Sequence, residues 1–252
     1  MQGVTEVSTP RLTDSFPLTP APDRLSKRLR GLYVITDACL GGGHLSMARA
    51  ALDGGAKILQ LRDKNTPPRQ ILAVARQIRA WTQEKGALFL INDRIDLALL
   101  CEADGVHLGP DDWPISEARR VLGPQKIIGA STGTPAEARA AEAEGANYLG
   151  AGAVFGTQTK GDAGAPIGLD GLRAIALATS LPVAAIGGVN FGNIASTLAA
   201  GARMACVISA LSSHNQNSID STKNEEVNQR VAMTQAAREL VALTENWAGE
   251  KQ

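Results

Sequence analysis

The sequence predicts one α/β domain with the (β/α)8, or TIM-barrel, architecture. Three observations carry that expectation. The chain has 252 residues, a length that suits one α/β barrel and is short for two full domains. Eight short apolar runs recur along it, separated by segments of helical period. Strand and helix therefore alternate eight times between residues 31 and 244, the count and size of such a barrel. A doubly wound dinucleotide-binding sheet is disfavoured, because TDACLGGGH stands where the GxGxxG turn would follow the first strand.

In chain order the expected strands are GLYVITD (31–37), AKILQLRD (56–63), ALFLIND (87–93), DGVHLG (104–109), KIIGAS (126–131), NYLGAGAVF (147–155), PVAAIGG (182–188) and ARMACVISA (202–210). Helical period marks 69–85, 135–144, 191–200 and a final segment over 225–244. Residues 1–30, rich in Ser, Thr and Pro, read as a flexible tail, with a short basic helix over 22–30. The polar stretch 212–226 reads as a mobile loop leaving strand 8 on the active-site face, and 245–252 as a C-terminal tail.

Composition excludes several functions. Twenty-five basic residues balance 25 acidic ones and aromatics make up 4%, which argues against nucleic acid or an anionic membrane as the main partner. The early glutamate and the lack of an apolar run argue against a secretory signal at the N-terminus. Residues 174–202 form an uncharged stretch of 29 positions, long enough to span a bilayer. Pro182, Gly187, Gly188, Asn190 and Asn193 divide it into helix, strand, turn and helix, so it reads as buried α/β structure. Three widely spaced cysteines fit a reducing, cytoplasmic setting better than a disulfide scaffold or a Cys-rich zinc site. A homo-oligomer is left open.

A barrel places its site at the C-terminal ends of its strands. On strand 2 the two-residue period turns Leu59 and Leu61 toward the helices, and Gln60, Arg62 and Lys64 to the other face. An internal ion-pair network would explain those three residues; an anion site explains them better. Strand 3 ends in Asn92-Asp93, and Asp111-Asp112 follows strand 4. These carboxylates could neutralise the cations or hold Mg²⁺, and Asp112 could instead cap a helix at Pro114. After strand 6 comes GTQTKGDAG (156–164), and strands 7 and 8 end in Gly187-Gly188 and Ile208-Ser209. Loops after strands 7 and 8 often grip a phosphate with backbone N–H groups, although a tight turn would also account for the glycine pair. Two anion regions suggest two phosphorylated substrates, or one molecule phosphorylated at both ends. His107 reads as a packed or hydrogen-bonded strand residue, His44 and His214 as loop residues without partners at ligand spacing, and Cys206 as core. Neither HExxH nor a serine nucleophile elbow is present, so charge stabilisation would carry the chemistry.

The ordered set YVITD (33–37), QLRDK (60–64), INDRIDLA (91–98), DGVHLG with Asp112, IIGAST (127–132), TQTK (157–160), AIGGV (185–189) and VISA (207–210) resembles the thiamine-phosphate synthase (thiamine-phosphate pyrophosphorylase) family, from Gly31 to about Leu211. The resemblance implies a transferase of thiamine biosynthesis. Such an enzyme joins 4-amino-2-methyl-5-pyrimidinylmethyl diphosphate to a thiazole ethyl phosphate, with or without a carboxylate, and releases pyrophosphate. It further implies that Gln60, Arg62 and Lys64, with Asn92, line the pyrimidine diphosphate site. Asp93 and Asp112 would ligate Mg²⁺, and Ser131 would contact the pyrimidine. Thr157 and Thr159 would bind the thiazole phosphate and Lys160 the diphosphate, with Gly188, Ile208 and Ser209 completing the thiazole phosphate pocket. Arg62, Lys64 and Lys160 would stabilise the leaving group. Gly133, Pro110 and Gly152-Ala153 depart from the family's usual His, Gln and Gly-Pro. A thiazole tautomerase, which shares the fold, need not retain the cation and carboxylate set, and a non-catalytic ligand-binding barrel would bind without turnover.

Overall fold

The computed structural model describes residues 25, 27–156, 165–212 and 224–249. Eight parallel strands pair in chain order and close into a barrel: β1 (Gly31–Thr36), β2 (Ile58–Leu61), β3 (Leu88–Asn92), β4 (Gly105–Leu108), β5 (Ile127–Thr132), β6 (Tyr148–Ala151), β7 (Val183–Ala185) and β8 (Met204–Val207). The closing pair sets Leu32 beside Ala205 and Tyr33 beside Cys206. Around the barrel lie α1 (Gly43–Asp53), α2 (Pro68–Lys85), α3 (Ile95–Leu100), α4 (Ile115–Leu122), α5 (Pro135–Ala143), α6 (Gly168–Leu177), α7 (Ile194–Ala199), α8 (Ser209–Ser212) and α9 (Glu225–Gly249). The predicted barrel is the observed one.

Strand alternation divides the core into two layers. Leu32, Val34, Leu59, Leu61, Phe89, Ile91, Val106 and Leu149 face outward and pack against the helices. Tyr33, Ile35, Ile58, Leu88, Leu90, Ile127, Tyr148, Met204 and Cys206 fill the interior. The rings of Tyr33 and Tyr148 meet there edge to face, 6.0 Å apart.

Helix ends follow local chemistry. Pro68 opens α2, where its missing N–H is of no consequence, and Gly86 ends it at φ 63°. Thr134 Oγ1 caps α5 by accepting the Glu137 N–H, while Glu137 reaches back to the Gly133 N–H. The uncharged 174–202 stretch is the end of α6, then β7 and α7, and no helix among the described residues is long and apolar enough to cross a membrane.

Four expectations need correction. The first strand begins at Gly31 as expected, but Leu29 is no tail residue: it is 1% exposed and belongs to the interior layer with Ile58, Leu88 and Met204. Leu25 packs against the same layer one helical turn earlier, and the Leu29 N–H bonds its carbonyl, in the segment expected as a short helix. Strand 6 stops at Ala151 rather than 155. Val154 and Phe155 N–H still bond the carbonyls of Ile186 and Gly187 as a loop, drawing this segment over the end of β7. Strand 8 stops at Val207, and Ser209 opens α8. Of the polar 212–226 stretch, Ser212 ends α8 and Glu225-Glu226 open α9. Its residues 213–223, His214 included, lie outside the described ones, as do 1–24 and 250–252.

Candidate active site

The C-terminal ends of β2 to β7 surround a cavity of about 320 Å³. Arg62 and Lys64 enter it from just beyond β2, because the interior-facing period of Gln60 continues past the strand end. Asn92 and Asp93 enter from the end of β3, Asp111 and Asp112 from the loop after β4, and Ser131 and Thr132 from β5. Gly150, Gly152, Ala153, Ile186 and Gly187 complete the wall. Six predicted site residues, Arg62, Lys64, Asn92, Asp93, Asp112 and Ser131, therefore share one cavity.

Asp93 sits at φ 61°, a left-handed conformation that a non-glycine residue rarely adopts and that is a recurrent form of strain at functional sites. Its N–H bonds the His107 carbonyl at 2.9 Å, which holds the turn against β4. The two aspartates are in hydrogen-bond contact. Burial and then the Asp112 carboxylate push the Asp93 carboxyl up to about 6, against the pull of Lys64 and Arg62. Two carboxylates facing one another repel as anions and attract a cation, so the donor set suits a hard divalent ion that keeps most of its ligands as water and phosphate oxygen. No cluster of three or more His, Cys, Asp or Glu at metal-holding spacing exists among the described residues.

Asp112 is not a helix cap. The N-cap of α4 is Pro114, with no side-chain cap bond. Asp112 Oδ2 instead accepts the Gly109 N–H at 2.6 Å, which folds the loop after β4 back toward the cavity.

Other predicted residues stand elsewhere. Gln60 is buried beneath the cavity and donates to Tyr33 Oη. Gly188 follows the lining residue Gly187 at φ 68°, and a Cβ there would meet Phe155 Cβ at 2.7 Å, so the loop after β6 packs directly on it. Ile208 and Ser209 lie just past β8, outside this cavity's wall. Thr157, Thr159 and Lys160 fall outside the described residues.

Sequence reasoning missed the buried contacts of His44 and the place of His107 on the cavity wall. His44 is not in a loop: it lies in the first turn of α1, buried, 2.9 Å from Thr36 Oγ1 and 2.9 Å from Asp63 Oδ2. His107, expected to be packed or hydrogen-bonded, is both, and it also lines the cavity. The period-2 alternation of β4 puts His107 on the interior face, a signal that was available. Nothing in the sequence around His44 marks Asp63 as its partner, which arrives from the loop after β2.

A family model described as thiamine monophosphate synthase matches residues 32–211. This chain belongs to the thiamine monophosphate synthase family. A thiamine-phosphate synthase of Moorella thermoacetica is 52% identical over 182 residues, covering 71% of this chain and 87% of that relative. One from Pyrococcus horikoshii is 49% identical over 180 residues, covering 71% and 86%. Among solved structures, the thiamine phosphate pyrophosphorylase of Pyrococcus furiosus superposes with a TM-score of 0.75 at 39% identity, covering 88% of this chain and 98% of that one. A KDPGal structure, at TM-score 0.62 and 18% identity, shares the fold alone. As a member of the synthase family the chain is an enzyme, a transferase that joins a pyrimidine unit to a thiazole phosphate to form thiamine phosphate.

Proposed function

We propose that the cavity binds 4-amino-2-methyl-5-pyrimidinylmethyl diphosphate, with its diphosphate between the Arg62–Lys64 cations and the Asp93–Asp112 pair. The observation that supports this most is the meeting of two cations with two mutually contacting carboxylates at the strand ends. Arg62 supplies a fork of N–H donors to phosphate oxygens, and Lys64 a mobile positive charge. Asp93 and Asp112 hold Mg²⁺, which when bound supplies Lewis-acid stabilisation of the departing diphosphate.

The reaction then needs no protein nucleophile. The methylene carbon–oxygen bond breaks, the diphosphate leaves with the electron pair, and the aminopyrimidine spreads the positive charge left on the methylene. The thiazole nitrogen lone pair forms the new carbon–nitrogen bond, which is a matter of positioning. Ser131 and Asn92 orient the pyrimidine from the cavity wall. Family resemblance assigns Lys160 to the diphosphate, and Thr157, Thr159, Gly188, Ile208 and Ser209 to the thiazole phosphate. Cys39, Cys101 and Cys206 form no disulfide with one another, which is compatible with work in a reducing cytoplasm.

The test is incubation of the purified protein with both substrates and Mg²⁺, monitored for thiamine phosphate and pyrophosphate. Formation of both in equal amounts is expected. Saturable binding of either substrate without product would overturn the assignment.

A further inference from the structure

A file of hydrogen-bonded side chains crosses the barrel interior and ends at the cavity. Gln60 Nε2 donates to Tyr33 Oη at 2.6 Å, and Tyr33 Oη lies 2.8 Å from Tyr148 Oη. Tyr148 Oη is 2.8 Å from His107 Nδ1, and His107 Nε2 is 3.0 Å from Ser131 Oγ. Gln60, Tyr33 and Tyr148 are buried, while His107 and Ser131 line the cavity.

The backbone makes room for this file. A Cβ on Gly129 would stand 2.1 Å from Tyr148 Cζ, and one on Gly150 would stand 2.9 Å from His107 Cε1. Two strand positions thus omit a side chain so that these rings can sit over them. A barrel interior packs readily with branched aliphatic residues, so filling stability alone does not call for five polar groups in a row. Buried polar groups favour a unique arrangement when each is paired.

Counting protons gives the file a direction. Burial pushes both phenols well above their ordinary range, so each hydroxyl keeps its one proton. The Gln60 N–H occupies a lone pair of Tyr33. With the Tyr33 proton sent to Tyr148, the Tyr148 proton goes to His107 Nδ1, and His107 carries its own on Nε2, donated to Ser131. Ser131 is left with its hydroxyl proton and one lone pair. A rotated Gln60 amide would reverse every bond and make Ser131 spend its proton on His107. Rotation would also bury an NH₂ without acceptors in place of the single orphaned oxygen, Gln60 Oε1, and unpaired N–H groups are the rarer of the two.

We propose that Tyr33 and Tyr148 are positioning residues which, through His107, fix the polarity of the Ser131 hydroxyl, and that this polarity selects an aminopyrimidine. An aminopyrimidine edge presents a ring nitrogen, which accepts, beside an exocyclic N–H, which donates. A hydroxyl with one proton and one lone pair to offer can meet both; a hydroxyl with lone pairs alone cannot. The inference rests on the assignment of the pyrimidine to this cavity.

Two measurements test it. The first is ring ¹⁵N NMR of substrate-free protein, with His107 assigned among the three histidines by its loss in His107→Asn. Protonation at Nε2 is expected in the wild type, with that preference lost in Tyr148→Phe. The second is steady-state kinetics of Tyr148→Phe, Ser131→Ala and the double variant. Tyr148→Phe should lower kcat/KM for the pyrimidine diphosphate about tenfold and leave the thiazole phosphate KM within about twofold. In the Ser131→Ala background the same change should cost less than about twofold, because the two act as one unit. A wild-type proton on Nδ1, or losses that multiply, would overturn the inference. Should Tyr148→Phe fail to fold, Tyr33→Phe, which leaves the Tyr148–His107 contact in place, is held to the same kinetic criteria. The NMR arm needs no turnover, so a wrong tautomer counts against this inference, whereas absence of thiamine phosphate counts against the functional assignment.

Discussion

His44 Nε2 lies 2.9 Å from Asp63 Oδ2, tying the first turn of α1 to the loop after β2. Asp63 stands between Arg62 and Lys64 in sequence, and it also accepts the N–H groups of Asn65 and Thr66 and the Thr66 hydroxyl. One carboxylate therefore organises the segment that presents both cavity cations.

Removing that clasp should weaken substrate handling without touching a cation. His44→Ala leaves the carboxylate short of a buried partner, at about 1–3 kcal/mol of stability. The expected result is a lower thermal midpoint and a raised KM for the pyrimidine diphosphate. An unchanged KM in the folded variant would count against the clasp.

The same carboxylate gives a pH dependence. Burial alone would raise Asp63, but its bonds from Thr66, His44 and Asn65 outweigh burial and hold it well below the usual carboxylate range. A depressed folded pKa contributes stability that is present above the unfolded pKa, near 3.9, and is lost as pH falls toward the folded value. Chemical unfolding of wild type against Asp63→Asn should show a stability difference at neutral pH that narrows below about pH 4.

Asp93→Asn and Asp112→Asn should each fold normally and lose turnover by about a hundredfold, ~2.7 kcal/mol of barrier. The Mg²⁺ concentration giving half-maximal rate should rise in both. Excess EDTA should abolish wild-type turnover, and full activity in EDTA would sink the metal assignment.

Leu29→Ala should destabilise the barrel by about 2–5 kcal/mol, the usual range for emptying a closed core site. Denaturant unfolding measures it. A change below about 0.5 kcal/mol would mean that Leu29 is not held in the interior.

The eight strands were legible because each is a short apolar run bounded by turn residues, and the active-site face followed from the strand ends, with the period-2 alternation of β2 turning Arg62 and Lys64 toward it. Arg62, Lys64, Asn92, Asp93 and Asp112 could be named in advance because all stand at or just past strand ends, and Ser131 because the family resemblance implies it. What stayed hidden depends on pairing across the barrel. The burial of Gln60 under the cavity needs Tyr33 on β1, and the His44 clasp needs Asp63 beyond β2. The exclusion of Asp112 as a cap depends on where α4 begins, with Pro114 as its N-cap two residues after that aspartate.

Closure of the barrel through β1 and β8 imposes an order on how the chain matures. Until residues 204–207 have left the ribosome, β1 has one edge of unpaired N–H and C=O groups, a template for pairing with another chain. The last helix adds a second wait: a Cβ on Gly54 would lie 2.3 Å from Ala237 Cβ, so α9 docks in near-contact with the turn that ends α1. Nearly the whole chain must therefore be synthesised before its first strand and first helix are both covered. Nascent chains halted before about residue 240 should be captured by holdase chaperones and cleaved readily by protease, and those completed beyond it should not.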